Sequence, residues 1–310
     1  MYLDFYGLRE KPFSLTPDPR FIFLSKNHRE AFAHLLYGIN SRAGFIALTG
    51  EVGSGKTTVL RALLNQLDAD HYRTALIFNP CLSPHELLQN INREFGIPTH
   101  TSSSSILLDV LNPFLLQQNA EGRTVVLAID EAQNLDPLVL EQIRLISNLE
   151  TDRDKLIQIV LTGQPEFVQI LNRKEIRQLS QRITVRYHLQ PMDFEDTVAY
   201  INHRLMVAGR TDGLIFSRSA LKQIYKYSRG LPRLINAACD MALLTGYSRD
   251  AARINFRIAA TGIKDIRRNA VPHSQKRRLL LIPASVMLAA LVVAGIYFTN
   301  QGRFIWHDFI

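Results

Sequence analysis

Eight consecutive residues have the types and the spacing of a loop that binds phosphate groups. Gly50-Glu51-Val52-Gly53-Ser54-Gly55-Lys56-Thr57 fits the pattern G-x-x-x-x-G-K-[ST], where x is any residue. The glycines let the backbone curl so that successive N–H groups point inward and surround an anion. In such a loop the Lys56 ammonium contacts the β- and γ-phosphates and the Thr57 hydroxyl binds Mg²⁺. Together with Thr58, this loop is the candidate site for ATP and Mg²⁺.

The segments on both sides of the loop favour the same interpretation. Phe45-Ile46-Ala47-Leu48 is an apolar run typical of a buried strand, and apolar residues recur from Val59 to Leu67 with the spacing of a helix. Strand before and helix after are the context that a phosphate loop requires, and the helix N-terminus adds its positive dipole end. A preceding helix is predicted from the capping box Asn27-His28-Arg29-Glu30.

A pair of carboxylates follows another candidate strand. Thr124-Val125-Val126-Leu127-Ala128-Ile129 is continuously apolar, as in a strand covered on both faces, and Asp130-Glu131 comes directly after it. Open α/β sheets bind ligands beyond the carboxyl ends of their strands. We therefore expect Asp130 to hold Mg²⁺ or its water and Glu131 to polarise the water that attacks the γ-phosphate.

The end of another predicted strand and the start of a predicted helix carry further residues that could contact the nucleotide. The predicted strand 156–161 is followed by Thr162 and Gln164, either of which could hydrogen-bond the attacking water or the γ-phosphate, or could instead cap a turn. Arg233 follows Gly230-Leu231-Pro232 in the first turn of a predicted helix. A cation is unfavourable at the positive end of a helix dipole, so this position indicates an anionic partner, of which nucleotide phosphates are one candidate.

The order of the predicted elements indicates an α/β fold with a parallel sheet. Strands and helices alternate up to a half-buried edge strand at Ile183–Leu189, after which the periodicity is helical throughout. Prolines near the N-terminus predict an arm without regular helix, packed by its aromatic residues. The predicted regions are an arm at 1–24, a P-loop α/β domain at 25–190, an all-helical lid at 191–268, a basic linker at 269–278, a transmembrane helix at 279–298 and a short periplasmic tail at 299–310.

Composition places limits on the class of protein. The chain has 310 residues, of which 46% are hydrophobic, so it can form a large core and a second domain. Cys81 and Cys239 are the two cysteines, which supports neither a disulfide framework nor a zinc site and fits a reducing compartment. The net charge is +8, and part of it is concentrated in Lys264, Arg267, Arg268, Lys276, Arg277 and Arg278.

This basic cluster precedes an apolar segment that predicts a membrane span. Leu279–Phe298 contains no charged residue, and at about 1.5 Å per residue a helix of this length crosses a hydrocarbon core of about 30 Å. Arg303 is the basic residue that follows it, so the positive-inside rule keeps the preceding domains in the cytoplasm. We expect a single-pass protein of the bacterial inner membrane.

The motifs together resemble those of AAA+ ATPases, which also have an arginine before the last strand and Gly-x-Pro-Arg in the lid. Within that superfamily the sequence is similar to the general secretion pathway protein A family, which includes ATPases of type II secretion, MSHA-type pilus biogenesis and exopolysaccharide loci. The similarity covers about residues 1–268 and is carried by Tyr6–Pro19, Asp130-Glu131-Ala132-Gln133, Leu161–Glu166 and Gln181-Arg182-Ile183.

The resemblance implies an ATPase that drives or regulates assembly of a secretion, pilus or polysaccharide-export machine in the cell envelope. It implies that Gln164 or Thr162 is the first sensor, that Arg233 is the second sensor, and that Arg182 is the arginine finger, with Arg177 as the second choice. Because a finger can act on the nucleotide of a neighbouring subunit, a homo-oligomer is expected. An inner-membrane or envelope-assembly protein is the expected further partner.

Three other functions fit parts of the sequence. Transposition ATPases that bind DNA are near relatives of this family and would suit the net charge of +8, but no helix-turn-helix or basic face stands out. A helicase shares a box like Asp130-Glu131-Ala132-Gln133 but has a second RecA-like domain, which the sequence does not show. A scaffold gated by nucleotide, with little turnover, would keep the same binding residues. Nucleic acid is not the expected partner.

Overall fold

The strands of the fold lie side by side in one parallel sheet. They are β1 Phe45–Gly50, β2 Tyr72–Ile77, β3 Thr124–Ile129, β4 Ile157–Gly163 and β5 Ile183–Leu189, in the order β2-β3-β4-β1-β5. The computed structural model describes residues 1–270 except 17, 79–80, 99–102, 152–153 and 211–213, together with 292–293. Met1–Ile263 form one compact unit and Lys264–Ile310 a second. The α/β class and the parallel sheet predicted from the sequence are confirmed.

Helices cover both faces of this sheet, which explains why its central strands are buried and mostly apolar. One face buries side chains of α1 Lys26–Asn40 and α2 Lys56–Gln66. The other face buries side chains of five helices. These are α3 Pro84–Glu94, α4 Ser104–Ala120, α5 Pro137–Ile146, α6 Pro165–Leu171 and α7 Arg177–Arg182. Every residue of β1 and β4 is buried, whereas β5 alternates between buried and accessible positions at the edge of the sheet, as predicted.

The strand register brings the carboxyl ends of β1, β3 and β4 together. Ile129 pairs with Leu161 across β3 and β4, and Thr49 pairs with Gly163 across β1 and β4. The phosphate loop leaves β1 at this edge, Asp130 follows β3, and Gln164 follows β4. The insertion of β4 between β1 and β3 therefore assembles the candidate residues from three separate parts of the chain.

The start of α1 differs from the sequence prediction. Ser25 is the N-cap, since its hydroxyl oxygen accepts the backbone N–H of His28 at 3.4 Å, so Asn27 does not cap the helix. The Asn27 amide instead donates hydrogen bonds to the carbonyl oxygens of Gln190 and Pro191. Both residues have the side-chain oxygen that an N-cap needs, and the tertiary contact of Asn27 decides between them.

The arm packs against the helical region rather than against the sheet. The helices of that region are α8 Phe194–Val207, α9 Arg218–Ser228, α10 Pro232–Tyr247 and α11 Phe256–Ala270. The described residues of the arm form two 3-10 turns, Asp4–Tyr6 and Pro19–Phe21, and no longer helix, as its prolines predict. Its aromatic rings meet those of the helical region edge to face in the pairs Phe5–Tyr247, Phe13–Phe216 and Phe23–Tyr200.

The C-terminal predictions fall outside this description. The predicted span 279–298 and tail 299–310 lie outside the described residues, apart from 292–293. Within the described part of the chain, no helix has both the length and the apolar character needed to cross a membrane.

Candidate active site

A cavity of about 670 Å³ lies where the phosphate loop, the strand ends, the arm and the helices α8 and α10 meet. Lys56, Thr57 and Thr58 line it from the loop, Glu131 and Gln164 from the strand ends. Arg233 lines it from the start of α10. The structure thus brings most of the predicted site residues to a single cavity of the size that small-molecule sites usually have.

Two glycines of the loop are required by close approach as well as by conformation. Gly53 has φ +75°, and a Cβ added there would lie 2.6 Å from Cβ of Arg233. Gly55 is the N-cap of α2 with φ +102°, a value that residues with a side chain rarely adopt. The pattern predicted glycines for backbone curvature, and the structure adds that α10 leaves no room for a side chain at position 53.

The Lys56 side chain turns back over the start of its own loop. Its Nζ donates hydrogen bonds to the carbonyl oxygens of Gly50 at 2.8 Å and Glu51 at 3.1 Å. Only 6% of the residue is exposed, and burial lowers its pKa, whereas the carboxylates of Glu131 and Asp130 favour its charged form. The ammonium is therefore held beside the two acidic residues at the end of β3.

Asp130 lies at the centre of a buried hydrogen-bond cluster. Its carboxylate accepts hydrogen bonds from the hydroxyls of Thr57 and Thr162 and from the backbone N–H of Glu131. Asp130 is 2% exposed and Thr162 is fully buried. Thr162 therefore supports Asp130 instead of facing the cavity, which Gln164 lines. Asp130 and Thr57 present adjacent hard oxygen atoms, which suit Mg²⁺, and these two residues fit the ion that such loops use with nucleotide phosphates.

The carboxylate of Glu131 is fixed by two glutamine side chains. Gln133 Nε2 lies 2.6 Å and Gln164 Nε2 lies 3.1 Å from the same oxygen of Glu131. Glu131 itself has φ +55°, in the left-handed region that a non-glycine residue seldom occupies and that clusters at functional sites. Gln133 belongs to the segment Asp130-Glu131-Ala132-Gln133 that carries the family resemblance, but the sequence does not predict its hydrogen bond to Glu131.

Of the three arginines predicted to act on the nucleotide, one lines the cavity and two lie elsewhere. Arg233 lies in the first turn of α10, its backbone N–H donates to the carbonyl of Gly53 at 3.4 Å, and it lines the cavity. Arg182 is the last residue of α7, and its guanidinium donates to Ser147 Oγ at 2.9 Å. Arg177 is exposed at the start of α7. Neither Arg182 nor Arg177 lines the cavity of its own chain.

Two residues that shape the cavity are not predicted from the sequence. Arg204 is 7% exposed and donates to the carbonyl oxygens of Pro12 and Ser14 and to Tyr200 Oη, so it fastens the arm to α8. His28 is 2% exposed and contacts the carbonyl of Ser54 in the phosphate loop. No local motif signals these contacts, because His28 meets Ser54 and Arg204 meets Pro12 across long stretches of sequence.

A family described as AAA domain matches residues 39–171. General secretion pathway protein A of Aeromonas hydrophila is 46% identical to this chain over 271 residues, which cover 86% of this chain and 49% of that protein. The chain thus spans about half the length of this curated relative.

Solved structures share the fold at low sequence identity. The Aeropyrum pernix ORC2 protein, in its ADPNP-ADP complexes, has a TM-score of 0.64 and 18% identity, over 88% of this chain and 75% of that one. The structure of Drosophila ORC bound to DNA has a TM-score of 0.64 and 15% identity, over 86% of this chain and 66% of that one. The resemblance seen in the motifs is confirmed, because residues 39–171 match an AAA domain and the chain is related to general secretion pathway protein A over 271 residues.

Proposed function

We propose that the chain binds and hydrolyses Mg-ATP. The observation that carries this proposal is the meeting of Lys56, Thr57, Glu131, Gln164 and Arg233 on one cavity, with Asp130 hydrogen-bonded to Thr57 beside it. In this proposal Lys56 binds the phosphates, and Thr57 and Asp130 hold Mg²⁺, which neutralises phosphate charge when bound. Glu131 accepts the proton of the attacking water, Gln164 orients Glu131, and Arg233 contacts the phosphates from the lid.

Two substitutions separate binding from hydrolysis. Lys56→Ala should abolish nucleotide binding, because it removes the cation that contacts ground-state phosphate. Glu131→Gln should leave binding intact and stop turnover, because it removes only the group that acts on water. Calorimetric titration with ATP and steady-state release of phosphate measure the two effects. Turnover by Glu131→Gln near the parental rate would contradict the role of Glu131, and binding without turnover in the parent would favour a nucleotide-gated scaffold.

We further propose that a helix at Leu279–Phe298 anchors the protein in the bacterial inner membrane with the AAA domain in the cytoplasm. The support is the sequence alone, namely an uncharged segment of spanning length with its basic flank on one side. An anchored, oligomeric ATPase would act on an envelope-assembly protein. The relation to general secretion pathway protein A supports a secretion machine, whereas a pilus or polysaccharide-export machine rests on the resemblance of the motifs alone.

Membrane extraction tests the anchor separately from the chemistry. The full chain should resist extraction by salt and by carbonate, whereas a chain ending at Arg278 should be released and still bind ATP. Release of the full chain by salt alone would reduce the basic cluster to a peripheral contact. Phosphate release measured with and without duplex DNA tests the transposition-type alternative, which predicts stimulation by DNA.

A further inference from the structure

A buried histidine joins the first helix of the fold to the phosphate loop. His28 lies in the first turn of α1. Its Nδ1 is 2.6 Å from Ser25 Oγ, and its Nε2 is 2.9 Å from the carbonyl oxygen of Ser54. Ser25 is fully buried, and His28 also lines the cavity. The imidazole therefore connects the cap of α1 to the middle of the phosphate loop.

The two partners fix where the ring proton lies. A carbonyl oxygen only accepts hydrogen bonds, so Nε2 carries the proton and donates it to Ser54. Burial lowers the pKa of His28, which favours the neutral ring, and Nδ1 then accepts a hydrogen bond from the Ser25 hydroxyl. The Ser25 oxygen in turn accepts the backbone N–H of His28 at 3.4 Å. Both ring nitrogens are used, and neither contact needs a charged imidazole.

The ring also lies directly against the loop backbone. A Cβ added at Gly55 would be 2.6 Å from His28 Nε2, so no other residue type fits at this position without displacing the histidine. The contact is therefore between the imidazole and the peptide group that joins Ser54 to Gly55. This peptide group is followed at once by Lys56 and Thr57, which line the cavity.

We propose that His28 is a positioning residue that orients the phosphate loop for its ligand. The Ser54–Gly55 peptide is trans and planar, so its carbonyl and N–H point in opposite directions. Holding the carbonyl on the His28 side fixes the Gly55 N–H on the side away from α1. A loop amide whose direction is set before binding loses less entropy when phosphate arrives. This inference deepens the proposed function, because it rests on phosphate binding at this loop.

Substitutions of His28 that differ in side-chain length test its hydrogen bond to the carbonyl oxygen of Ser54. His28→Gln places an amide N–H near the position of Nε2 and should keep the Ser54 hydrogen bond. His28→Asn has the same amide but is one carbon shorter, so it should lose that bond, as should His28→Ala. His34→Ala removes an exposed histidine of the same helix and is the matched control. The dissociation constants of Mg-ATP and of inorganic tripolyphosphate are measured by calorimetry, and the thermal midpoint is measured without ligand.

The expected result is a loss of about tenfold in affinity for both ligands in His28→Asn and His28→Ala, which is the equivalent of about one hydrogen bond. His28→Gln and His34→Ala should stay within about threefold of the parent. A merely structural role would lower the thermal midpoint without separating glutamine from asparagine. Parental affinity in His28→Asn, or equal losses in His28→Gln and His28→Asn, would overturn the proposal even if His28→Ala fails to fold. A parent that binds neither ligand would instead refute the proposed function, and the positioning role with it.

Discussion

The side-chain amide of Gln164 donates a hydrogen bond of 3.1 Å to the carboxylate of Glu131. Gln133 reinforces this pair, since it donates to the same carboxylate oxygen and accepts the backbone N–H of Gln164 at 3.0 Å. The ends of β3 and β4 are thereby joined through side chains at the edge of the sheet where the phosphate loop begins. The orientation of Glu131 depends on a residue of the neighbouring strand end.

The first prediction separates the two candidates for the sensor. Gln164→Ala should lower kcat by about tenfold to a hundredfold with little change in nucleotide affinity, because it releases the group proposed to act on water. Thr162→Val has the same shape but loses the hydroxyl that supports Asp130, so it should raise the Mg²⁺ concentration needed for half-maximal activity, by about tenfold or more. Turnover measured against Mg²⁺ concentration checks both, and the opposite pattern would exchange the roles of Gln164 and Thr162.

The second prediction is that turnover depends on contact between subunits. Arg182 lies outside the cavity of its own chain, as a finger supplied to a neighbour must. Arg182→Ala alone should lose about a thousandfold or more in kcat. Mixtures of Arg182→Ala and Lys56→Ala chains should recover part of the activity, since each supplies what the other lacks. Arg177→Ala is the parallel test, and no recovery at any ratio, with both chains folded and associated, would argue against a finger acting between subunits.

The third prediction concerns the attachment of the arm to the lid. Within the described residues no carboxylate forms an ion pair with Arg204, whose guanidinium is held by oxygens of Pro12, Ser14 and Tyr200. Arg204→Met should lower the free energy of unfolding by about 2–4 kcal/mol, because it leaves buried acceptors unpaired. Urea unfolding measures this change. Arg218→Ala, at an exposed position of α9, should change it by less than about 0.5 kcal/mol.

The fourth prediction is a dependence of stability on pH that His28 causes. Burial lowers the pKa of His28 in the folded protein below the ordinary value of 6.5, which applies to the unfolded chain. Above that value both states are neutral and His28 contributes no pH dependence. As pH falls below about 6.5 the unfolded chain takes up the proton first, so the free energy of unfolding decreases. Urea unfolding at pH 7.5 and pH 5.5 should show a larger decrease in the parent than in His28→Gln. Equal decreases would mean that His28 titrates normally in the folded state.

The local features of the site could be predicted because each is coded by neighbouring residues. The phosphate loop is eight contiguous residues. The unbroken apolar run that precedes Asp130 predicts that β3 is buried. Apolar periodicity predicts the helices that follow β5, and the position of Arg233 after Gly230-Leu231-Pro232 predicts its place in the first turn of a helix, which is α10. In each case backbone geometry follows from residues within a few positions, so no knowledge of the neighbours in space is needed.

The sequence by itself determined the α/β class, the loop and the acidic pair, whereas the tertiary structure decided how they meet. Periodicity does not show which strands are neighbours, and only the position of β4 between β1 and β3 places Thr162 on Asp130 and Gln164 on Glu131. The contact of His28 with Ser54 joins residues that are 26 positions apart, and Arg204 reaches Pro12 across 192. Such contacts leave no periodic signal in the chain, because the packing of whole elements brings their atoms together.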